Sequence, residues 1–273
     1  SLVEQSLPNI EIIVVDDNDD LDWNRIVERI VSDCGDNNPK IQIKYIQNHP
    51  NQGSAKSRNI GIDVSTGEYV TFLDDDDIYL PDKVSTQVEF MDRGYFDYSV
   101  TDLALYYDNE KLSEHRTREY IKNTHPDVLL KYHFMYHITG TDTMMFKTEY
   151  LRKIGGFVPI DSGDEFYLMQ RAIESGGTFG YLARCDVKAY VHTNDGGLSI
   201  GQGKIDGENH LYEYKKKFFY LFNKKEQNFI KMRHYAVLAF AFLRMKKYGL
   251  FVKNGLFSFL CSPIKCFQLL TYR

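Results

Sequence analysis

An α/β fold, with a mostly parallel central sheet whose strands are joined by helices, is what this chain of 273 residues predicts. Short β-branched runs alternate with segments whose apolar residues recur at helical spacing. Two of those runs end in clusters of aspartate, where an open α/β sheet binds its ligands.

The first strand is expected at residues 10–15, IEIIVV, a run without alternation that reads as a buried strand. Asp16 and Asp17 follow at its carboxyl end. Ile26, Val27, Ile30 and Val31 then place a helix over 24–32. IQIKYI at 41–46 is the second strand, and Ser54 after Gly53 begins a short helix over 54–64 with Ala55, Ile60 and Ile62. Residues 68–73 form the third strand, followed by a helix over 81–91 and a strand over 97–107. Residues 115–140, rich in aromatics and histidine, read either way. A strand-like start and a short helix ended by Gly155-Gly156 occupy 143–157. Phe166, Met169 and Ile173 share one stripe of a helix over 162–175, closed by Gly176-Gly177. A strand near 187–192 precedes the glycine-rich loop NDGGLSIGQG. From about Leu211 the chain turns helical, basic and aromatic, so the expected division is 1–210 and 211–273. There are no repeats and no low-complexity segment.

A content of 43% hydrophobic and 26% charged residues is that of an ordinary globular protein. Ala236–Leu243, the longest apolar run near the C-terminus, is too short to span a bilayer, and the start carries no signal-peptide pattern. Cys34, Cys185, Cys261 and Cys266 lack close CxxC spacing, which argues against a zinc knuckle or a disulfide framework. A reducing, intracellular setting with buried structural thiols is the simplest expectation. The net charge of -5 hides a split. Residues 211–273 hold 13 Lys+Arg against Glu213 and Glu226, a net of +11, which leaves -16 on residues 1–210. Such asymmetry points the tail toward an anionic partner, and no nucleic-acid recognition motif accompanies it.

The most informative stretch is EYVTFLDDDD at 68–77. Four adjacent carboxylates, Asp74 to Asp77, repel one another, and a hard divalent cation relieves that repulsion through oxygen ligands. The competing reading is a solvated acidic turn that caps the helix beginning near Pro81.

With these segments placed, the chain resembles the family 2 glycosyltransferases, which have the GT-A fold. IEIIVVDDN (10–18), NQGSAKSRNIGI (51–62), GEYVTFLDDDDIYLPDK (67–83), GTDTMMFKTEYLRKIGGF (140–157), GDEFYLMQRA (163–172) and HTNDGGLS (192–199) follow the family's order over about residues 1–200. Each is weak alone, and their succession is specific. The family usually begins with one more strand and an aromatic-Asn turn that helps hold the nucleotide base. Here Ser1–Gln5 looks like the tail of the helix that follows that turn, so the first strand is expected to be missing.

The resemblance implies transfer of a sugar from a nucleotide-diphosphate sugar, most readily a UDP-sugar, to an acceptor hydroxyl with inversion, in bacterial surface polysaccharide synthesis. It makes 1–210 the nucleotide-sugar-binding and catalytic domain. It implies Mn²⁺ or Mg²⁺, which would meet the charge of the departing diphosphate. The family's DxD motif falls on Asp74–Asp77, with Asp76 as the direct metal ligand and Asp74 or Asp75 facing the ribose or a metal-bound water. Because four aspartates adjoin, the register is open by one residue, and Asp74 is also a candidate ligand.

Asp17 matches the acidic residue that accepts hydrogen bonds from the base; the competing role is a helix N-cap. Arg58 matches an arginine near the base or phosphates; the competing role is an exposed helix arginine. Asp164 and Glu165 are the candidate general bases, in reversed order relative to the family's usual Glu-Asp, and alignment favours Glu165. Ser162-Gly163-Asp164-Glu165 also reads as a capping box. His192 matches a position near the diphosphate or metal, or is a packed or solvated histidine. The loop after it either closes over the donor or is an ordinary turn. Thr141 and Asp142 fall where the family lines its acceptor side.

The acceptor implied is a glycan or a lipid-linked one. The basic tail either lies on an anionic membrane surface or packs as a helical appendage, with a homodimer interface as one form of the latter. The expected location is cytoplasmic, with peripheral attachment to the inner face of the plasma membrane as its extension. A non-catalytic nucleotide-sugar or glycan-binding module of the same fold is the alternative.

Overall fold

The computed structural model describes residues 1–39, 41–160, 163–191 and 201–271. The chain forms two compact units: one comprises 1–129, 138–160 and 164–192, the other 130–137, 161–163 and 193–273.

The first unit begins with strand β1 (Glu11–Asp16), helix α1 (Leu21–Asn37), strand β2 (Gln42–Gln47) and helix α2 (Ser54–Val64). β1 and β2 pair in parallel, Ile12 opposite Ile43 and Asp16 opposite Gln47. The β-branched run of β1 makes the expected strand, but only Ile12 is buried. Asp20 caps α1 by accepting from the backbone N–H groups of Asp22 and Trp23. Asp17 therefore is not the cap. The expected stripe on α1 also divides. Val27 and Val31 are half-buried while Ile26 and Ile30 are exposed, and the buried residue of the helix is Asn24.

Strands β3 (Tyr69–Thr71) and β4 (Ile78–Tyr79) bracket the acidic turn, and helix α3 (Lys83–Gly94) follows. The expected strand at 97–107 is two strands, β5 (Tyr98–Thr101) and β6 (Leu103–Tyr107), in different sheets. The break is Asp102, whose buried carboxylate accepts from the Arg118 backbone N–H and the Tyr181 hydroxyl. A β6–β7 hairpin with β7 (Leu112–Arg116) turns at Glu110, which has φ +60. Helix α4 (Pro126–Tyr136), strand β8 (Met144–Lys147), helices α5 (Thr148–Lys153) and α6 (Asp164–Glu174), and strands β9 (Phe179–Leu182) and β10 (Val187–Val191) complete the series.

The sheets are mixed rather than mostly parallel. One has the order β3-β8-β5-β9, with β8 antiparallel to both neighbours and β9 parallel to β5. The other has the order β4-β10-β6-β7, with only β10 and β6 parallel. β1 pairs only with β2, and β3 only with β8, among the described residues. Tyr79, Val84, Met91, Leu103, Leu105, Met145, Val187 and Ala189 form a buried cluster drawn from both four-stranded sheets and α3. On α6 the stripe Phe166, Met169 and Ile173 is fully buried, and Gly176, at φ +76, ends the helix in a conformation glycine adopts without strain.

The second unit contains residues 130–137, which include the C-terminal part of α4, and helices α7 (Gly201–Lys216), α8 (Lys224–Arg244), α9 (Tyr248–Cys261) and α10 (Pro263–Thr271). Asn223 and Glu226 form a reciprocal capping box at the start of α8. Ile205, Leu238 and Ala241 make a small core, and Glu208 pairs with buried His234 at 3.2 Å. All four cysteines are free and half-buried rather than buried.

Candidate active site

The carboxyl ends of β1 and β3 and the starts of α2 and α6 bring most of the sequence-assigned residues into one unit. At the end of β1, Asp16 accepts from Asn24 Nδ2 at 2.9 Å and from the Tyr45 hydroxyl at 2.8 Å, which fixes the strand end to α1 and β2. Asp17 turns the other way. Its Oδ1 accepts from Asn48 Nδ2 at 2.9 Å and the Gln52 N–H at 2.8 Å, and its Oδ2 accepts from the Gly53 N–H at 2.8 Å. Partial burial alone would raise its pKa, but the donors from Gln52, Asn48 and Gly53 outweigh it and hold the carboxyl below its usual range. Asp17 thus organises residues 48–53, the loop that launches α2. Gly53 serves this with φ +83, a conformation costly for a side-chain-bearing residue.

One turn into α2, Arg58 lies between two motifs. Nη2 meets Asp74 Oδ1 at 2.7 Å and Nη1 meets Asp164 Oδ2 at 3.0 Å, while the guanidinium carbon stands 5.4 Å from the Phe157 ring centroid. It is therefore not an exposed helix arginine. The planar fork suits this double engagement, which a lysine ammonium cannot reproduce.

The acidic turn is closed by the Asp77 N–H donating to the Asp74 carbonyl at 3.1 Å. Asp74 and Asp77 are half-buried, whereas Asp75 and Asp76 are exposed at the tip. The turn is held from below. Asp142, 5% exposed in a 3₁₀ turn at Thr141–Thr143, accepts from the Asp74 N–H at 2.7 Å, and Asp77 Oδ1 accepts from the Tyr190 N–H at 2.9 Å. Burial, with Asp74 and Asp77 close by, pushes the Asp142 carboxyl well above its usual range. Asp142 thus supports the turn through the Asp74 N–H, a contact between residues 68 positions apart that the sequence does not signal. Below it, fully buried Lys83 donates to Thr71 Oγ1 and lies 3.9 Å from the Tyr79 ring centroid; burial lowers its pKa to about 7.

At the start of α6, Asp164 is buried and Glu165 half-buried. Burial raises the Asp164 pKa, a shared hydrogen bond with Glu165 adds to the rise, and Arg58 opposes it. Its Oδ1 also accepts the Glu165 N–H at 3.0 Å, so Asp164 is spent on holding the helix start and Arg58. Ser162 of the expected capping box, His192 and residues 194–200 of the glycine-rich loop lie outside the described residues.

For a divalent cation, the donor chemistry at the turn fits. The exposed Asp75 and Asp76 carboxylates present hard oxygen ligands, and Asp74 gives one oxygen to Arg58. Among the described residues no three His, Cys, Asp or Glu side chains form a metal cluster. An open surface cavity of about 490 Å³ beside Asn48, Lys56, Asn59 and Asp63 contains none of the sequence-assigned residues.

The sequence profile described as Glycosyl transferase family 2 matches residues 1–176. A Campylobacter jejuni GalNAc(5)-diNAcBac-PP-undecaprenol beta-1,3-glucosyltransferase is 38% identical over 96 residues, 35% of this chain and 29% of that protein. The Escherichia coli UDP-Glc:alpha-D-GlcNAc-diphosphoundecaprenol beta-1,3-glucosyltransferase WfaP is 34% identical over 101 residues, 36% of this chain and 37% of that one. The matched stretches span about a third of the length of these curated relatives. Among solved structures, S. aureus TarS 1–349 in complex with UDP-GlcNAc superposes with a TM-score of 0.59 at 16% identity, over 95% of this chain and 85% of that one. The mannosyltransferase PcManGT from Pyrobaculum calidifontis, in complex with GDP-Man and Mn²⁺, gives 0.52 at 15% identity over 96% and 67%. The likeness shows the GT-A fold.

Proposed function

The chain belongs to glycosyltransferase family 2, and from that membership we propose an inverting, metal-dependent transfer of a sugar from a nucleotide-diphosphate sugar, most readily a UDP-sugar, to an acceptor hydroxyl. The acceptor is a glycan or a lipid-linked glycan, and the setting is bacterial surface polysaccharide synthesis at the cytoplasmic face of the plasma membrane. Catalysis is assigned to residues 1–210, with 211–273 as an appended helical region.

The observation that carries this reading is the Arg58 bridge between Asp74 and Asp164. One guanidinium links the acidic turn, suited to a donor diphosphate, to the carboxylate pair suited to deprotonating an acceptor. In this assignment Asp76 leads the ligands of the cation, with Asp74 and His192 as further candidates. Asp75, Asp74, Asp17 and Arg58 bind the nucleotide-sugar. Bound Mg²⁺ or Mn²⁺ would offset the negative charge that builds on the departing diphosphate. Glu165 takes the proton of the acceptor hydroxyl as its oxygen attacks the anomeric carbon opposite the leaving group, which inverts that centre. Asp164, already engaged by Arg58 and the Glu165 N–H, positions that base.

The substrates named for the relatives support a UDP-sugar and a polyprenol-linked acceptor, and the Mn²⁺ complex of PcManGT supports the metal. The test is a donor screen that measures release of nucleoside diphosphate with and without Mn²⁺. Metal-dependent release from one donor is expected. Donor binding without turnover, unchanged in Glu165→Gln, would instead make the chain a nucleotide-sugar-binding module.

A further inference from the structure

We propose that the outward surface of α9 and α10 is a docking face for an anionic lipid bilayer. α9 is built inside out. Its buried positions are Asn254 and Ser258, and Ser258 Oγ donates to the Met232 carbonyl of α8 at 2.9 Å. Several of its large apolar residues are exposed instead: Leu256 is 59% exposed and Leu260 73%, and on α10 Ile264 is 75% exposed and Phe267 64%. A helix on a water-facing surface shows the opposite arrangement. Exposed large apolar side chains concentrated on two successive helices mark an interaction face.

The occupant follows from charge. No acidic residue follows Glu226, while Arg244, Lys246, Lys247, Lys253 and Lys265 are all exposed around the apolar positions. Anionic headgroups complement this set, and lysines reach them while their neighbours enter the acyl boundary. A second copy of the chain would bring the same cations together with no carboxylate on either face to offset them. The helices also have the length for lying in the interface. The 14 residues of α9 extend about 21 Å at the helical rise, against a hydrocarbon core of about 30 Å. Among the described residues no helix is long and apolar enough to cross a membrane. The face is read from α9 and α10 alone. Its use, presenting the chain to a lipid-linked acceptor, rests on the transfer reading above.

The test is flotation of the full chain with phosphatidylcholine vesicles, either pure or containing about 30 mol % phosphatidylglycerol. Recovery on the anionic vesicles is expected to exceed that on neutral ones by about tenfold and to fall as salt rises. Leu256→Asp/Leu260→Asp, at two exposed positions, is expected to cut recovery about tenfold while melting temperature and UDP binding stay unchanged. Failure of the wild type to float, or equal flotation of the variant, would overturn the proposal. So would a wild-type dimer in light scattering that the variant abolishes without any flotation, which would give the face to a second copy. Flotation by a chain that binds no UDP still supports the docking face and counts only against the transfer reading.

Discussion

Arg58 and Asp164, 106 positions apart in sequence, form a 3.0 Å ion pair with both side chains largely out of solvent. The same guanidinium holds Asp74 at 2.7 Å, so a single residue of α2 sets the separation of the acidic turn and the α6 carboxylates.

Arg58→Ala leaves Asp164 without its cation in a buried position, and the expected loss of stability is about 3 kcal/mol. Activity is expected to fall about a hundredfold or more. Arg58→Lys is expected to recover stability in part and transfer poorly, because one ammonium cannot span both carboxylates. Thermal unfolding and nucleotide-release rates measured side by side check this; a fully active Arg58→Lys would show that the fork is dispensable.

Asp76 is exposed, so Asp76→Ala is expected to change stability by no more than about 0.5 kcal/mol. Metal-dependent turnover and the Mn²⁺-induced rise in melting temperature should both disappear. Retention of that rise would move the metal to another carboxylate.

Glu165→Gln is expected to bind donor as the wild type does and to lose about 10²–10⁴ in transfer. Asp164→Asn is expected to lose stability as well, since it weakens the contact to Arg58 at a buried site. Isothermal titration with UDP, paired with product assay, separates the two residues. A Glu165→Gln variant with near wild-type transfer would hand the base role to Asp164 or to another group.

Asp17 has a folded pKa below its ordinary 3.8. The stabilisation it provides is therefore complete above that ordinary value and is lost as pH falls through the folded one. Asp17→Asn keeps some acceptor capacity but forfeits charge-assisted bonds to Gln52, Gly53 and Asn48. At a half-exposed site the expected cost is about 1–2 kcal/mol at pH 7. Denaturant titrations should show the gap between variant and wild type closing below about pH 4. A pH-independent gap would mean the charge of Asp17 does nothing for the 48–53 loop.

The alternation of strands and helices, the acidic end of β3 and the fully buried stripe of α6 were legible because each depends on local periodicity or on adjacent like charges. Other features were not. The break at Asp102 depends on partners at Arg118 and Tyr181, so the segment 97–107, read as one strand, concealed two strands in two sheets. The inverted face of α9 was hidden for the same reason, since apolar content in a helix does not say which side its neighbours cover.

By itself the sequence determined the α/β class and the family, since these follow from residue order and chemical type. Only the tertiary structure decided that Arg58 would join Asp74 to Asp164, that Asp142 would lie beneath the acidic turn, and that strands expected to run mostly parallel would pair in mixed sheets. Burial, hydrogen-bond partnership and strand direction are relations between distant segments, and their energies exist only once the chain has brought those segments together.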